Sequence, residues 1–337
     1  MKIGKNIKLN QIVNCDVRQL LTELPNNCVD TIISSPPYNI GKEYEKRINL
    51  DLYLKEQYEV LRDCYRILKT TGSIFWQVGV YVDKFGGHVP LDIKFFEIFD
   101  SFNMSMRNRI VWMRPHGLHG TKRFSCRYET ILWFVKDPKN YKFYLDPIRV
   151  PQKYQNKKSW KGSNKGKLTC DPLGKNPGDI WAFRNVKHNH EEQTIHPCQF
   201  PEDMIERVIL TTTDENDVVF DPYMGTGTVA VAAKRFNRKF LGAEVDMNYY
   251  NVSINRINGE PDNNKVFPNL KTLREYILTN NITDIDKFQF AKQIGKKPTS
   301  KDKAKIFDEQ HHLHSITNRI LDESEEPAYK RFQQVGR

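Results

Sequence analysis

Apolar runs broken by turn signals set the order of elements along this chain. Residues 29–35, VDTIISS, form a β-branched apolar run that stops at a Pro-Pro pair, the pattern of a buried strand running into a loop. Over 51–69 the residues Leu54, Tyr58, Leu61, Tyr65 and Leu68 recur at spacings of three and four, which predicts an amphipathic helix. GSIFWQVG (72–79), RNRIVWMRP (107–115) and YETILWFVKD (128–137) predict three further buried strands. The pattern then predicts a helix over 201–213, strand–turn–helix over 217–236, a strand over 239–246 and a helix over Tyr249–Ile257. Strands alternating with helices predict a mostly parallel α/β sheet.

Two stretches break the pattern. From about 138 to 195 Pro, Gly, Asn and Lys dominate and periodicity fades, and KYQNKKSWKGSNKGK (153–167) carries six lysines around Tyr154 and Trp160. From 259 the chain is polar, with helical stretches such as 270–278. There is no internal repeat.

Composition narrows the class. The 337 residues carry 52 Lys+Arg against 41 Asp+Glu, a formal charge of +11, and the hydrophobic share of 39% suffices for a core. The tail from Glu260 to Arg337 holds 14 basic and 12 acidic residues, so most of the excess charge lies before it, where a polyanionic partner would bind. No run of eighteen apolar residues occurs, which argues against a membrane partner. MKIGKNIKLNQIVNCDV lacks the apolar core of a secretory signal, and the six cysteines form no C-x-x-C pair. A cytoplasmic protein with reduced thiols and no metal cluster is expected.

Candidate chemistry sits in two loops. In FDPYMGTGTVA (220–230) a strand is predicted to end at Asp221 and a helix to start near Thr228. Gly225 and Gly227 allow a sharp turn and a close ligand approach. Glu244, at the end of the next strand, can accept hydrogen bonds from both hydroxyls of a ribose. The same letters fit a dinucleotide fingerprint, Gly225-x-Gly227-x-x-Ala230, or a plain glycine turn beside a surface glutamate.

The second loop, Ser35-Pro36-Pro37-Tyr38, follows the 29–35 strand directly. The prolines fix φ and carry no N–H, so the loop is stiff and its carbonyls are free. Ser35 and the Pro36 carbonyl can accept hydrogen bonds from an exocyclic amine while the face of Tyr38 stacks on the ring.

Together the SPPY and DPYMGTGT loops, with HPCQFP (196–201) before the latter, resemble the DNA amino-methyltransferases. These transfer a methyl group from S-adenosylmethionine to cytosine N4 or adenine N6. The catalytic loop precedes the cofactor loop, which resembles the β-group motif order, over roughly residues 10–258. The resemblance implies a seven-stranded Rossmann-like α/β sheet with an inserted target-recognition region. Residues 1–258 would form the methyltransferase domain, with catalytic loop 34–41, recognition region about 138–195 and cofactor loop 220–230; the polar, partly helical 259–337 would be an accessory extension.

It further implies that Asp16, Phe200, Pro201, Asp221, Pro222, Gly225, Gly227, Thr228 and Glu244 hold the cofactor. Ser35, Pro36, Pro37 and Tyr38 would form the catalytic loop, and Lys153, Lys157, Lys158 and Lys161 would contact the phosphates of double-stranded DNA. A monomer or homodimer is expected, with a cognate restriction endonuclease as partner. Many relatives begin the tetrapeptide with Asp or Asn. Ser35 leans towards cytosine N4 over adenine N6, and leaves the proton acceptor open, because a hydroxyl is a poor base.

Other readings carry less. An RNA methyltransferase usually has the opposite motif order, and a nicotinamide-dependent dehydrogenase leaves SPPY unexplained. Pro197-Cys198-Gln199 spells the nucleophile motif of carbon-5 cytosine methyltransferases but lies on the wrong side of the cofactor loop. His188-Asn189-His190 spells the letters of a nuclease motif without its ββα-metal context, and His311, His312 and His314 read as a solvated polar segment.

Overall fold

The computed structural model describes residues 2–3, 7–114, 120–152, 154, 157–171, 173–187, 190 and 192–259. Lys153, His188, Asn189, the three tail histidines and the whole extension from 260 lie outside these described residues.

They fall into two compact units, one running to Phe143 and resuming at Asp179, the other Tyr144–Gly178. The first is built on eight strands: β1 (Gln11–Val13), β2 (Val29–Ser34), β3 (Leu68–Val78), β4 (Ser105–Met113), β5 (Tyr128–Val135), β6 (Ile180–Trp181), β7 (Val218–Asp221) and β8 (Lys239–Ala243). Their order in the sheet is β6-β4-β5-β3-β2-β7-β8-β1. The run β3-β2-β7-β8-β1 is parallel, and β5 pairs antiparallel with both β3 and β4. The resemblance implies seven strands; the eighth is the two-residue β6, which extends the edge beside β4. That edge strand belongs to the first unit.

Six helices accompany the sheet: α1 (Val17–Glu23), α2 (Leu50–Ile67), α3 (Leu91–Ser101), α4 (Glu202–Thr212), α5 (Thr228–Arg235) and α6 (Met247–Gly259). Strand β2 is buried along its whole length, as its unbroken apolar run requires. Helix α2 forms where the periodicity predicts it, with a different face inward. Its buried residues are Tyr53, Gln57, Val60, Leu61, Cys64 and Ile67, and only Leu61 of these belongs to the predicted stripe. Tyr58 and Tyr65 lie at the margin, with rings 5.1 and 5.7 Å from that of Phe102.

The Tyr144–Gly178 unit has little regular structure beyond two 3-10 turns and isolated bridges. Arg149 ties it together, bonding Asp146 at 2.7 Å, the Gly174 carbonyl at 2.8 Å and Asp171 at 3.1 Å. Among the described residues no helix is long and apolar enough to cross a membrane.

Candidate active site

Four neighbouring parallel strands, β2, β7, β8 and β1, release their loops at the same sheet edge. Open α/β sheets bind ligands there, outside the carboxyl ends of the strands. Ser35-Pro36-Pro37-Tyr38 leaves β2, the glycine loop leaves β7, Glu244 follows β8 and Asp16 follows β1. The loops enclose a cavity of about 320 Å³. Its wall includes Asp16, Ser35, Pro36, Pro37, Tyr38 and Phe200. Asp221, Pro222, Gly225, Thr228 and Glu244 complete the residues expected from the sequence that reach it.

Two expected residues support the wall from behind. Pro201 caps the start of α4. Gly227 caps α5 with φ +83°, and a Cβ there would lie 2.8 Å from Cβ of Ser253 on α6. Its missing side chain lets two helices close up, not a ligand approach. Gly225, at φ +54°, is the open one: a Cβ would meet only the His196 ring, at 3.8 Å.

The acids are held differently. Glu244 accepts the Gly225 N–H at 2.7 Å and the Asp246 N–H at 2.8 Å, while burial pushes its carboxyl up. Asp221 accepts the Ser34 hydroxyl at 2.6 Å and the Tyr223 N–H at 3.0 Å, tying the ends of β2 and β7 together. Full burial raises its carboxyl to about 7. Asp16 caps α1, and its hydrogen bonds to Arg18 hold it below the usual carboxylate range.

The Ser35–Tyr38 loop ends in a chain of hydroxyls. Ser35 donates to the Tyr38 oxygen at 3.2 Å, and Tyr38 donates to Glu129 at 3.3 Å. Glu129 also pairs with Arg114 at 2.8 Å and accepts from Gln77. Tyr53 donates to the Pro37 carbonyl at 2.7 Å, and Glu45 accepts the N–H groups of Asn39 at 2.6 Å and Ile40 at 2.8 Å. Those bonds hold the loop after the tetrapeptide, with Asn39 in the left-handed region at φ +58°.

Sequence reasoning missed an aromatic wall. Tyr44 stacks on His196 with centroids 5.1 Å apart, and the edge of Tyr249 meets His196 at 4.6 Å. Burial lowers the His196 pKa to about 4, so the ring is neutral. Its Nδ1 accepts the Cys198 N–H at 3.1 Å, which leaves the proton on Nε2. His196 heads the HPCQFP segment, so a signal was present; Tyr44 carried none.

A family model described as DNA methylase, of the N6/N4 methyltransferase group, matches residues 29–255. The chain belongs to this DNA methylase family. The type II methyltransferase M.BglII of Bacillus subtilis is 56% identical over 326 residues, spanning 96% of this chain and 90% of that protein. M.ScaI of Streptomyces caespitosus, another type II methyltransferase, is 37% identical over 251 residues, 73% of this chain and 80% of its own. The DNA adenine methyltransferase YhdJ of Escherichia coli K12 is 32% identical over 251 residues, covering 73% and 82% of the two chains.

Among solved structures, the cytosine-N4-specific PvuII DNA methyltransferase superposes with TM-score 0.58 at 19% identity, covering 84% of this chain and 96% of that one. A complex of M1.HpyAVI with SAM gives TM-score 0.51 at 21% identity over 74% and 98%. At these identities the likeness shows the α/β methyltransferase fold. DNA methylases of this family use S-adenosylmethionine. The cavity suits such a group: it has small-molecule size, an open glycine, a buried carboxylate for ribose hydroxyls and an uncharged aromatic wall.

Proposed function

We propose that this chain methylates the N4 amine of a cytosine flipped out of double-stranded DNA, as the modification partner of a cognate restriction endonuclease. The observation that carries this reading is that Ser35-Pro36-Pro37-Tyr38 lines the same cavity as Gly225 and Glu244. A base inside the duplex cannot reach such a pocket, so it is extruded, at a cost of about a few kcal/mol. The Tyr38 face offsets part of that cost by stacking. In this reading Glu244 and Asp16 hold the hydroxyls and base of the cofactor, with Phe200, Pro222 and Thr228 closing its sides.

When bound, S-adenosylmethionine supplies an electrophilic methyl group. The exocyclic amine is a weak nucleophile because its lone pair is conjugated with the ring. Ser35 donates its own proton to Tyr38, which leaves the Ser35 lone pairs for the amine hydrogens. The Pro36 carbonyl is the second acceptor. With the cofactor bound, transfer of its methyl from sulfur to the amine would release one amine proton to Ser35 Oγ, while Ser35 would pass its own to Tyr38 and Tyr38 its proton to Glu129. A carboxylate at the end of the chain supplies the base that a serine alone does not. The remaining gain comes from positioning and from dipoles fixed in a closed site.

Residues 138–195 choose the site in this proposal, and the lysines of 153–167 add affinity for any sequence. Lys157, Lys158 and Lys161 are exposed, beside Trp160 at 83% exposure. The protein acts in the cytoplasm as a monomer or homodimer. Mass spectrometry of digested product DNA tests the base. N4-methylcytosine is expected, N6-methyladenine would move the reaction to the other base of the same family, and 5-methylcytosine would restore Cys198 as nucleophile and overturn the mechanism.

A further inference from the structure

The first unit presents two phenylalanines to solvent on separate tips: Phe85 is 86% exposed and Phe124 99%. Exposed large apolar rings are the informative exceptions on a protein surface. Each is held out by a built turn. Asp83 Oδ1 accepts the N–H groups of Phe85 at 2.8 Å and Gly87 at 2.7 Å, and the Asp83 N–H reaches the Gly87 carbonyl at 2.9 Å. On the other tip Gly120 N–H bonds Ser125 Oγ at 3.0 Å, and Arg123 bonds the Phe124 carbonyl at 3.1 Å. Preorganised rings lose little freedom on binding.

Both tips are rooted in the catalytic corner. The Phe85 ribbon, Val80–Val82 paired with His88–Pro90, starts at Gly79. A Cβ on Gly79 would lie 2.8 Å from the Tyr38 ring. Arg47, nine residues beyond Tyr38, donates to the Val82 carbonyl and lies 4.9 Å over the Tyr81 ring. The Phe124 loop runs into β5, where Glu129 accepts from Tyr38. The two meet at Cys126 Sγ and His88 Nδ1, 4.0 Å apart. At about 3.3 Å per residue, Phe85 lies at most about 20 Å from Gly79 and Phe124 about 17 Å from Glu129. As upper limits, these place both rings within about six base-pair steps of 3.4 Å of that corner.

The flanking charge selects the occupant. Lys84 stands 5.0 Å over the Phe85 ring, and Lys122 and Arg123 precede Phe124. An apolar face beside cations fits a base beside its phosphates. A second copy of this chain, with net charge +11, is repelled by the same cations. We propose that Phe85 and Phe124 enter the base stack of duplex DNA beside the target and hold open the gap that the flipped base leaves. This rests on the DNA-methylating reading above.

The test is single-turnover methyl transfer by the full chain on two duplexes carrying the site mapped by methylation-aware sequencing. One has the target base paired and the other mismatched. Phe85→Ala and Phe124→Ala should each slow transfer to the paired target about tenfold, and stay within about threefold of wild type on the mismatched one, whose base is already loose. Phe→Trp at either position should restore the paired rate. Calorimetric S-adenosylmethionine binding and the melting temperature should match wild type, since exposed rings support no core. Wild-type rates on the paired duplex, or equal losses on both duplexes, would overturn the wedge. Failure of the wild-type protein to methylate any DNA would instead remove the underlying function, a result seen before any variant is made.

Discussion

Tyr38 and Glu129, 91 residues apart in the chain, share a hydrogen bond of 3.3 Å between phenol and carboxylate. From the sequence the Tyr38 ring face is the working part, and phenylalanine would serve nearly as well. In the proposed reading the hydroxyl has a second task, because it joins Ser35 to Glu129. Tyr38→Ala should lose roughly 1–3 kcal/mol of base stacking. Tyr38→Phe should keep DNA and cofactor affinity but slow single-turnover transfer, on the order of a hundredfold to ten-thousandfold, as loss of acid–base help does. An unchanged rate would show that the proton leaves by another route.

Ser35→Ala should likewise leave both affinities unchanged and lower the transfer rate, the mark of an interaction made mainly in the transition state. If Ser35→Ala transfers at the wild-type rate, the Pro36 carbonyl carries the polarisation alone.

The two loop glycines should fail differently. Ala at either must adopt a left-handed φ, costing about 1–2 kcal/mol. At Gly227 the new Cβ also meets Ser253 at 2.8 Å, so Gly227→Ala should lower the melting temperature further, with cofactor affinity following stability. At Gly225 the Cβ enters the cavity, so Gly225→Ala should weaken S-adenosylmethionine binding with a smaller loss of stability. Calorimetry and thermal denaturation of both variants separate the two effects.

The elements flanking both motif loops were legible because long apolar runs end at Pro or Gly. Strand β1 was not, since three residues cannot display a period. The inward face of α2 was misread because apolar residues surround more than one side, and only packing against the sheet chooses between Tyr58 and Gln57. About a third of the cavity wall was readable, because the motifs sit at strand ends. Glu129 and Tyr44 were not, for their roles arise from contacts across the sheet and across loops that no local pattern encodes.

Replacing Lys157, Lys158 and Lys161 with Ala should weaken binding to all DNA sequences alike. Each phosphate that the protein no longer neutralises should flatten the log–log salt dependence by about 0.9. Filter-binding or anisotropy titrations across salt concentrations read the slope directly. An unaltered slope would make the lysine run a solvated loop without a role in affinity.

Asp221 gives the fold a pH dependence of defined sign. Burial raises its carboxyl from the ordinary 3.8 to about 7, against the bonds from Ser34 and the Tyr223 N–H. Between those values the unfolded chain has already released its proton while the folded protein keeps it. The unfolded state then binds fewer protons, so Asp221 subtracts stability as pH rises through this window, and the loss is constant above about 7. Asp221→Asn keeps an oxygen to accept both bonds and removes the titration. Its melting temperature should gain on wild type between pH 4 and pH 7, with the difference levelling above that. A difference that stays flat over the same range would mean that Asp221 is already charged in the fold, because both states would then have released the proton. The Ser34 hydroxyl and Tyr223 N–H would then be holding an anion at the root of the cofactor loop.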